Sequence, residues 1–139
     1  MLDRMLAAID PTREGSRALQ TAIELARATG ADLKVIVVLK PLPACFSFAP
    51  SAVFSRMWKE SQRQRCSAVQ CNARLQMSRA GIFPDAELIA GNEVRTILRC
   101  AKEYNADLIV MGMRNRTIVT DRLTQDVAAR SLCAVLEVP

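Results

Sequence analysis

Five short apolar runs, separated by segments of helical periodicity, constrain this chain more than any other feature. They are RMLAAI at residues 4–9, Leu33 to Leu39, Asp85 to Ala90, Leu108 to Gly112 and Ala134 to Val138. Such runs are too short for independent helices and too continuously apolar for strands with a wet face. They read as buried strands of a parallel sheet. Between them the apolar positions recur at three and four. From Arg13, residues Ala18, Leu19, Ala22, Ile23, Leu25 and Ala26 form one helical face, with Thr12 a candidate N-cap and Gly30 the stop. The longest helix runs from Ala52 to about Ala80, with Phe54, Met57, Trp58, Ser61, Val69, Ala73 and Met77 expected along one inward side. Glu93 to Tyr104 turns Val94, Ile97, Leu98 and Ala101 inward, and a short helix near Thr124 to Leu132 repeats apolar residues from Val127 to Leu132. Residues 40–51 are a loop by their three prolines, with Phe46 and Phe48 expected to fold down onto the domain. The order βαβαβαβαβ predicts an α/β domain, a parallel sheet with helices on both faces. Ligands of such sheets bind beyond the carboxyl ends of the strands. Asp10, Val38, Gly91 and Gly112 fall on that edge.

The chain has 139 residues, half of them apolar and a quarter charged, with neither internal repeat nor linker. That predicts one domain over residues 1–139 with a core of its own. No apolar run approaches the length of a membrane span, so no membrane partner is expected. The opening MLDRMLAAID carries an acid at position 3 and runs straight into a strand pattern, unlike a signal or transit peptide, so the expected compartment is cytoplasmic.

Histidine is absent. That excludes Ser-His-Asp and Cys-His nucleophile systems, HExxH zinc sites and His-carboxylate iron sites. No catalytic and no metal site is assigned, and the prior for an enzyme falls. The five cysteines, at 45, 66, 71, 100 and 133, are odd in number and include no CxxC, so they read as plain core or surface thiols. Charge is uneven. Between Ser51 and Pro84 stand six basic residues and one acid, Glu60, which accounts for the whole net charge of +5. The sharp reading is a surface for an acidic partner or nucleic acid; the plainer one is a solvated helix face, and without an aromatic ladder nucleic acid is not expected.

The stretch Asp107 to Asp126, DLIVMGMRNRTIVTDRLTQD, passes from a strand through Gly112 into a loop bearing Arg114, Arg116 and Arg122, and then into a helix. This is how many α/β proteins hold a phosphate, because the first amides of the helix point at the anion.

Across nearly its whole length the chain resembles the universal stress protein family. The resemblance is carried by AAIDPTREGSRALQTAIELARATGADLKVIVV, AGNEVRTILRCAKEYNADLIVMGMRNR and SLCAVLEVP. It implies a five-stranded parallel sheet of order 3-2-1-4-5, and a homodimer through the C-terminal strand, Ala134 to Val138. It also implies a role in stress response or signalling in place of a metabolic reaction. Some members bind ATP through G-x2-G-x9-G-[ST]. Here Gly112 fills the first place, but Asn115, Gln125 and Asp126 fill the others. Asp10 matches the acid that meets the nucleotide's sugar, Val38 the residue that meets adenine, and Met111 and Val127 the flanking positions. Arg114 and Arg116 read either as phosphate partners or as solvated loop charge.

The substitutions weigh unequally. Asparagine tolerates the left-handed backbone that glycine would adopt, whereas Gln125 adds bulk where phosphates approach. Asp126, in the first turn of a helix, supplies internally the anion a ligand would bring. Losing two charge-assisted contacts of roughly 1.5–3 kcal/mol each weakens binding by about two to four decades. The expectation is a dimeric, non-enzymatic regulatory binding domain with weak or absent ATP binding. The alternatives are an ATP-binding switch or slow ATP hydrolase, and, third, an acidic or nucleic-acid partner on the basic helix 51–84.

Overall fold

The computed structural model describes residues 2–42, 52–113 and 123–139. In chain order the elements are β1 (Arg4–Ile9), α1 (Arg13–Thr29), β2 (Asp32–Leu39), α2 (Ala52–Arg79), β3 (Ala86–Ala90), α3 (Glu93–Tyr104), β4 (Leu108–Gly112), α4 (Leu123–Arg130) and β5 (Ala134–Val138). All neighbouring strands pair in parallel, in the order β3-β2-β1-β4-β5. This is the expected α/β sheet.

Period-two alternation divides the core between the two faces of the sheet. Met5, Ala7 and Ile9 of β1, with Val35, Val37 and Val110, join Leu19, Ala22, Cys66, Ala73 and Met77 of α1 and α2. Leu6, Ile36, Val38, Ile109 and Met111 join Ile97, Ala101, Leu123 and Val127 of α3 and α4. The central strand is apolar throughout because a helix layer covers each of its faces.

Helix ends are fixed locally. The Thr12 hydroxyl accepts from the Gly15 amide at 3.0 Å, and Gly30, with φ 75°, closes α1 by donating to the Ala26 carbonyl at 2.9 Å. Asn92 caps α3 through the Arg95 amide at 3.1 Å, and Asn105 ends it in the left-handed conformation, φ 55°. At the amino-terminal edge of the sheet, the Asp107 carboxylate accepts the amides of Asp3 at 2.7 Å and Arg4 at 2.9 Å, tying β4 to β1.

Two sequence expectations are corrected. Helix α4 stops at Arg130, and Leu132 is 96% exposed instead of facing inward. The chain turns at Ser131, whose hydroxyl accepts from the Cys133 amide at 3.1 Å and feeds the chain into β5. The second correction concerns α2. Its buried residues are Cys66, Ala73 and Met77, while Phe54 is 39% and Met57 66% exposed. One reason is phase, since at about 100° per residue Met57 falls on the side of the helix opposite Cys66, Ala73 and Met77. The other is length. A 28-residue helix spans about 42 Å, whereas β2 and β3, with eight and five residues, span about 26 and 17 Å. The first half of α2 outruns the sheet it packs against. Phe46, Phe48 and Cys45 lie outside the described residues.

Candidate functional site

The carboxyl ends of β1, β2 and β4 converge on one notch. The register that pairs Ile9 with Val37 and Ala8 with Met111 carries Asp10 beside Val38 and brings Gly112 level with Ile9. Of the residues singled out from the sequence, Asp10, Val38, Met111 and Gly112 all line this notch. Val127 does not. It is fully buried in the core under α4, and the residue that α4 contributes to the notch is Leu123. Arg114 and Arg116, with Asn115, lie outside the described residues. Gln125 and Asp126 are exposed on the first turns of α4 and do not line the notch.

The first turn of α1 is wedged against this edge. Thr12 Oγ1 donates to Asp10 Oδ1 while accepting from the Gly15 amide, so the acid at the end of β1 holds the cap of the next helix. A Cβ on Gly15 would lie 2.4 Å from the Asp10 carbonyl oxygen, and one on Gly112 would lie 2.6 Å from the Glu14 carbonyl carbon. Both glycines are therefore required by the close approach of α1 to the ends of β1 and β4. Gly112 has a packing role that holds whether or not a phosphate is ever bound.

Sequence reasoning missed Glu93. It stands in the first turn of α3, lines the notch, and pairs with Lys40 at the end of β2 at 3.1 Å. Its side chain is 19% exposed. The partners are far apart in sequence, and the available signal was an acid directly after the Gly91-Asn92 turn that closes β3. The notch is small, about 20 Å³, of the order of one water molecule. Beside it, between α1 and α2, lies a groove of about 460 Å³ lined by Asp10, Thr12, Arg13, Arg65 and Asn72. Asp10 stands between the two spaces.

A hollow of about 530 Å³ occupies the opposite edge of the sheet, lined by Gly30, Asp32, Gly81, Phe83, Asp85 and Tyr104. Helices α1, α2 and α3 end there with their carbonyl poles, next to two carboxylates and the Arg27 cation. Burial pushes the Cys66 and Cys100 thiols up, which disfavours their thiolate forms. Among the described residues no cluster of acids and thiols could hold a metal ion.

A sequence profile described as the Universal stress protein family matches residues 1–139. The chain belongs to that family. A universal stress protein of Thermus aquaticus, described as lying in the QAH/OAS sulfhydrylase 3' region, is 32% identical over 141 residues, 98% of each chain. Among solved structures, UspA of Lactobacillus plantarum superposes with a TM-score of 0.78 at 18% identity, covering 99% of this chain and 97% of the other. A universal stress protein in complex with cAMP gives 0.74 at 22% identity, covering 99% and 97%. One from Archaeoglobus fulgidus in complex with dAMP gives 0.68 at 19% identity, covering 100% and 98%. The family's Rossmann-like sheet is thus the fold found here, and the notch lies at its carboxyl edge.

Proposed function

We propose that this chain is a dimeric, non-enzymatic regulatory domain of the universal stress type, working in the cytoplasm, whose affinity for ATP is weak or absent. The observation that carries this reading is the charge around the notch. Its ionisable lining groups, among the described residues, are the carboxylates of Asp10 and Glu93, and the first turn of the adjacent α4 adds Asp126. Lys40 is already engaged with Glu93. Among the described residues, a polyphosphate at the notch would meet these carboxylates where it needs amides and cations. The notch would also have to widen well beyond about 20 Å³ to admit a base.

Dimerisation is assigned to β5. It is an edge strand, paired with β4 on one side only, and Val135, Leu136 and Val138 are each only half-buried. A second copy adding its own β5 would satisfy that edge. Thermal unfolding with and without ATP tests the binding part of the proposal. At 1 mM ATP the melting temperature moves by less than about one degree, as expected when ligand barely exceeds its dissociation constant.

A second reading, an ATP-binding switch or slow hydrolase, has one observation in its favour. Asp10, Val38, Met111 and Gly112 meet at a single notch, and relatives of the same fold have been solved with cAMP and dAMP. In that reading Asp10 would take the sugar hydroxyls, and Arg114 and Arg116 the phosphate. A melting-temperature rise of several degrees with ATP, abolished by Asp10→Ala, would establish it in place of the first.

A further inference from the structure

The open sheet has two edge strands, β3 and β5. Strand β3 reads AELIA, with Glu87 its one charge and with Leu88 and Ile89 only half-buried. An edge of that composition is a template for another strand. The ladder fixes which of its backbone groups turn outward. The Val35 amide donates to the Asp85 carbonyl at 2.8 Å, and the Gly91 amide donates to the Leu39 carbonyl at 3.0 Å. Along a strand, successive residues turn amide and carbonyl together to alternate sides. Glu87 and Ile89 therefore bond to β2 as Asp85 and Gly91 do, and Ala86, Leu88 and Ala90 point their backbone groups away from the sheet.

One of these outward groups is already taken. The Ala86 carbonyl oxygen accepts from Gln70 Nε2 at 2.9 Å and from Arg74 Nη2 at 2.9 Å. Gln70 and Arg74 stand one turn apart on α2, so both reach the same atom. A carbonyl oxygen has two lone pairs, and two donors saturate it. The place of the cap matters. Suppose a second copy added its own β3, antiparallel, about a two-fold axis at Leu88. The two Leu88 residues would exchange both bonds, and the next bonded pair would be Ala86 with Ala90. The incoming Ala90 amide needs the oxygen that Gln70 and Arg74 fill, and the symmetry repeats the conflict at both ends. In the same register Glu87 would lie opposite Ile89 and not opposite another carboxylate, so the charge of β3 itself does not forbid the pairing.

We infer that Gln70 and Arg74 form an edge cap that closes β3 to a second copy of this chain. An exposed arginine on a neutral carbonyl, with no ion pair among the described residues, is a strong donor placed where a strand would otherwise add. With β5 as the dimer edge, the cap ends assembly at two copies, where two open edges would give a growing chain of sheets. That consequence rests on the proposed β5 contact; the cap itself does not.

The test is light scattering of the full chain and of its Gln70→Ala, Arg74→Ala double variant over a concentration series. Salt at about 0.5 M, with a Debye length of about 4 Å, screens the basic α2 helices of two copies from each other. Alanine suits both helical positions, and circular dichroism checks the fold. The double variant is expected to associate beyond the wild type, with its weight-average mass about twofold higher or more at the top of the series. The reference is always the wild type: a dimeric wild type gives longer chains, whereas a monomeric one gives dimers and refutes the β5 contact alone. Adding Leu88→Pro removes an outward amide, leaves the β2 ladder intact and is expected to return the mass to that of the wild type. Arg74→Ala alone alters one exposed side chain, shifts the mass the same way more weakly, and decides the matter if the double variant does not fold. A folded double variant with the wild-type mass at every concentration would overturn the inference. So would association that survives Leu88→Pro, or, where the double variant does not fold, an Arg74→Ala protein of wild-type mass.

Discussion

Gly112, at the end of β4, lies so close to the backbone of Glu14 that a Cβ at position 112 would be 2.6 Å from the Glu14 carbonyl carbon. The obstacle is main chain, so relief requires the first turn of α1 to move. Gly112→Ala is expected to destabilise the fold by about 1–3 kcal/mol, the usual cost of overpacking. Urea denaturation of the two proteins measures it. An alanine variant as stable as the wild type would mean that α1 is not wedged against this strand.

The Asp107 carboxyl is held below its ordinary value of 3.8, first by the Arg4 amide and then by the Asp3 amide. A group whose folded value is depressed contributes stability above its unfolded value and loses it as pH falls through the folded one. Asp107→Asn is therefore expected to melt lower than wild type at pH 7. The gap should narrow as pH falls below about 3.8, the ordinary carboxyl value. Melting curves at pH 7, 4 and 3 check this, and a gap that widens on acidification contradicts it.

Replacing Gln125 with Gly and Asp126 with Ser restores the residue types that ATP-binding relatives are expected to carry. If those two positions account for the weak binding, ATP affinity rises by about two to four decades, from the two contacts regained. Titration of the double variant measures the gain. No gain would place the obstruction in the notch itself, at Glu93 and Lys40.

The β5 edge gives a further prediction. The Val138 carbonyl accepts from the Met113 amide at 2.6 Å, so Val138 and Leu136 point their backbone groups at β4. Val135, between Ala134 and Leu136, then points its amide outward, where a second copy would pair. Val135→Pro removes that donor without touching the β4 ladder. Light scattering is expected to show a dimer for wild type and Val135→Ala, and a monomer for Val135→Pro. A dimer that survives the proline uses another surface.

The sheet was legible because local signals agreed. The apolar runs, Thr12 before α1 and Gly30 after it each pointed to the same boundaries. Three of the residues that line the notch, Asp10, Val38 and Gly112, were also legible as strand ends, whereas Met111 came from the family resemblance. What escaped the sequence depends on relations between distant elements. Lys40 and Glu93 meet only because β2 and α3 end at the same edge. Met57 was expected along the inward side of α2, yet at about 100° per residue it falls on the side opposite Cys66, Ala73 and Met77 and is exposed. Leu132 continues the period of α4, but Ser131 ends the helix before it. The role of Gly112 as a packing glycine was hidden for the same reason, since the neighbour that demands it, Glu14, belongs to α1.

Calorimetric titration of the wild-type chain with ATP and magnesium tests the central claim most directly. With Asp10 and Glu93 in the notch and Asp126 beside it, no saturable heat is expected at micromolar ATP, and any dissociation constant should lie near or above about 1 mM, where ligand at that level barely stabilises the fold. A dissociation constant in the micromolar range would contradict the account.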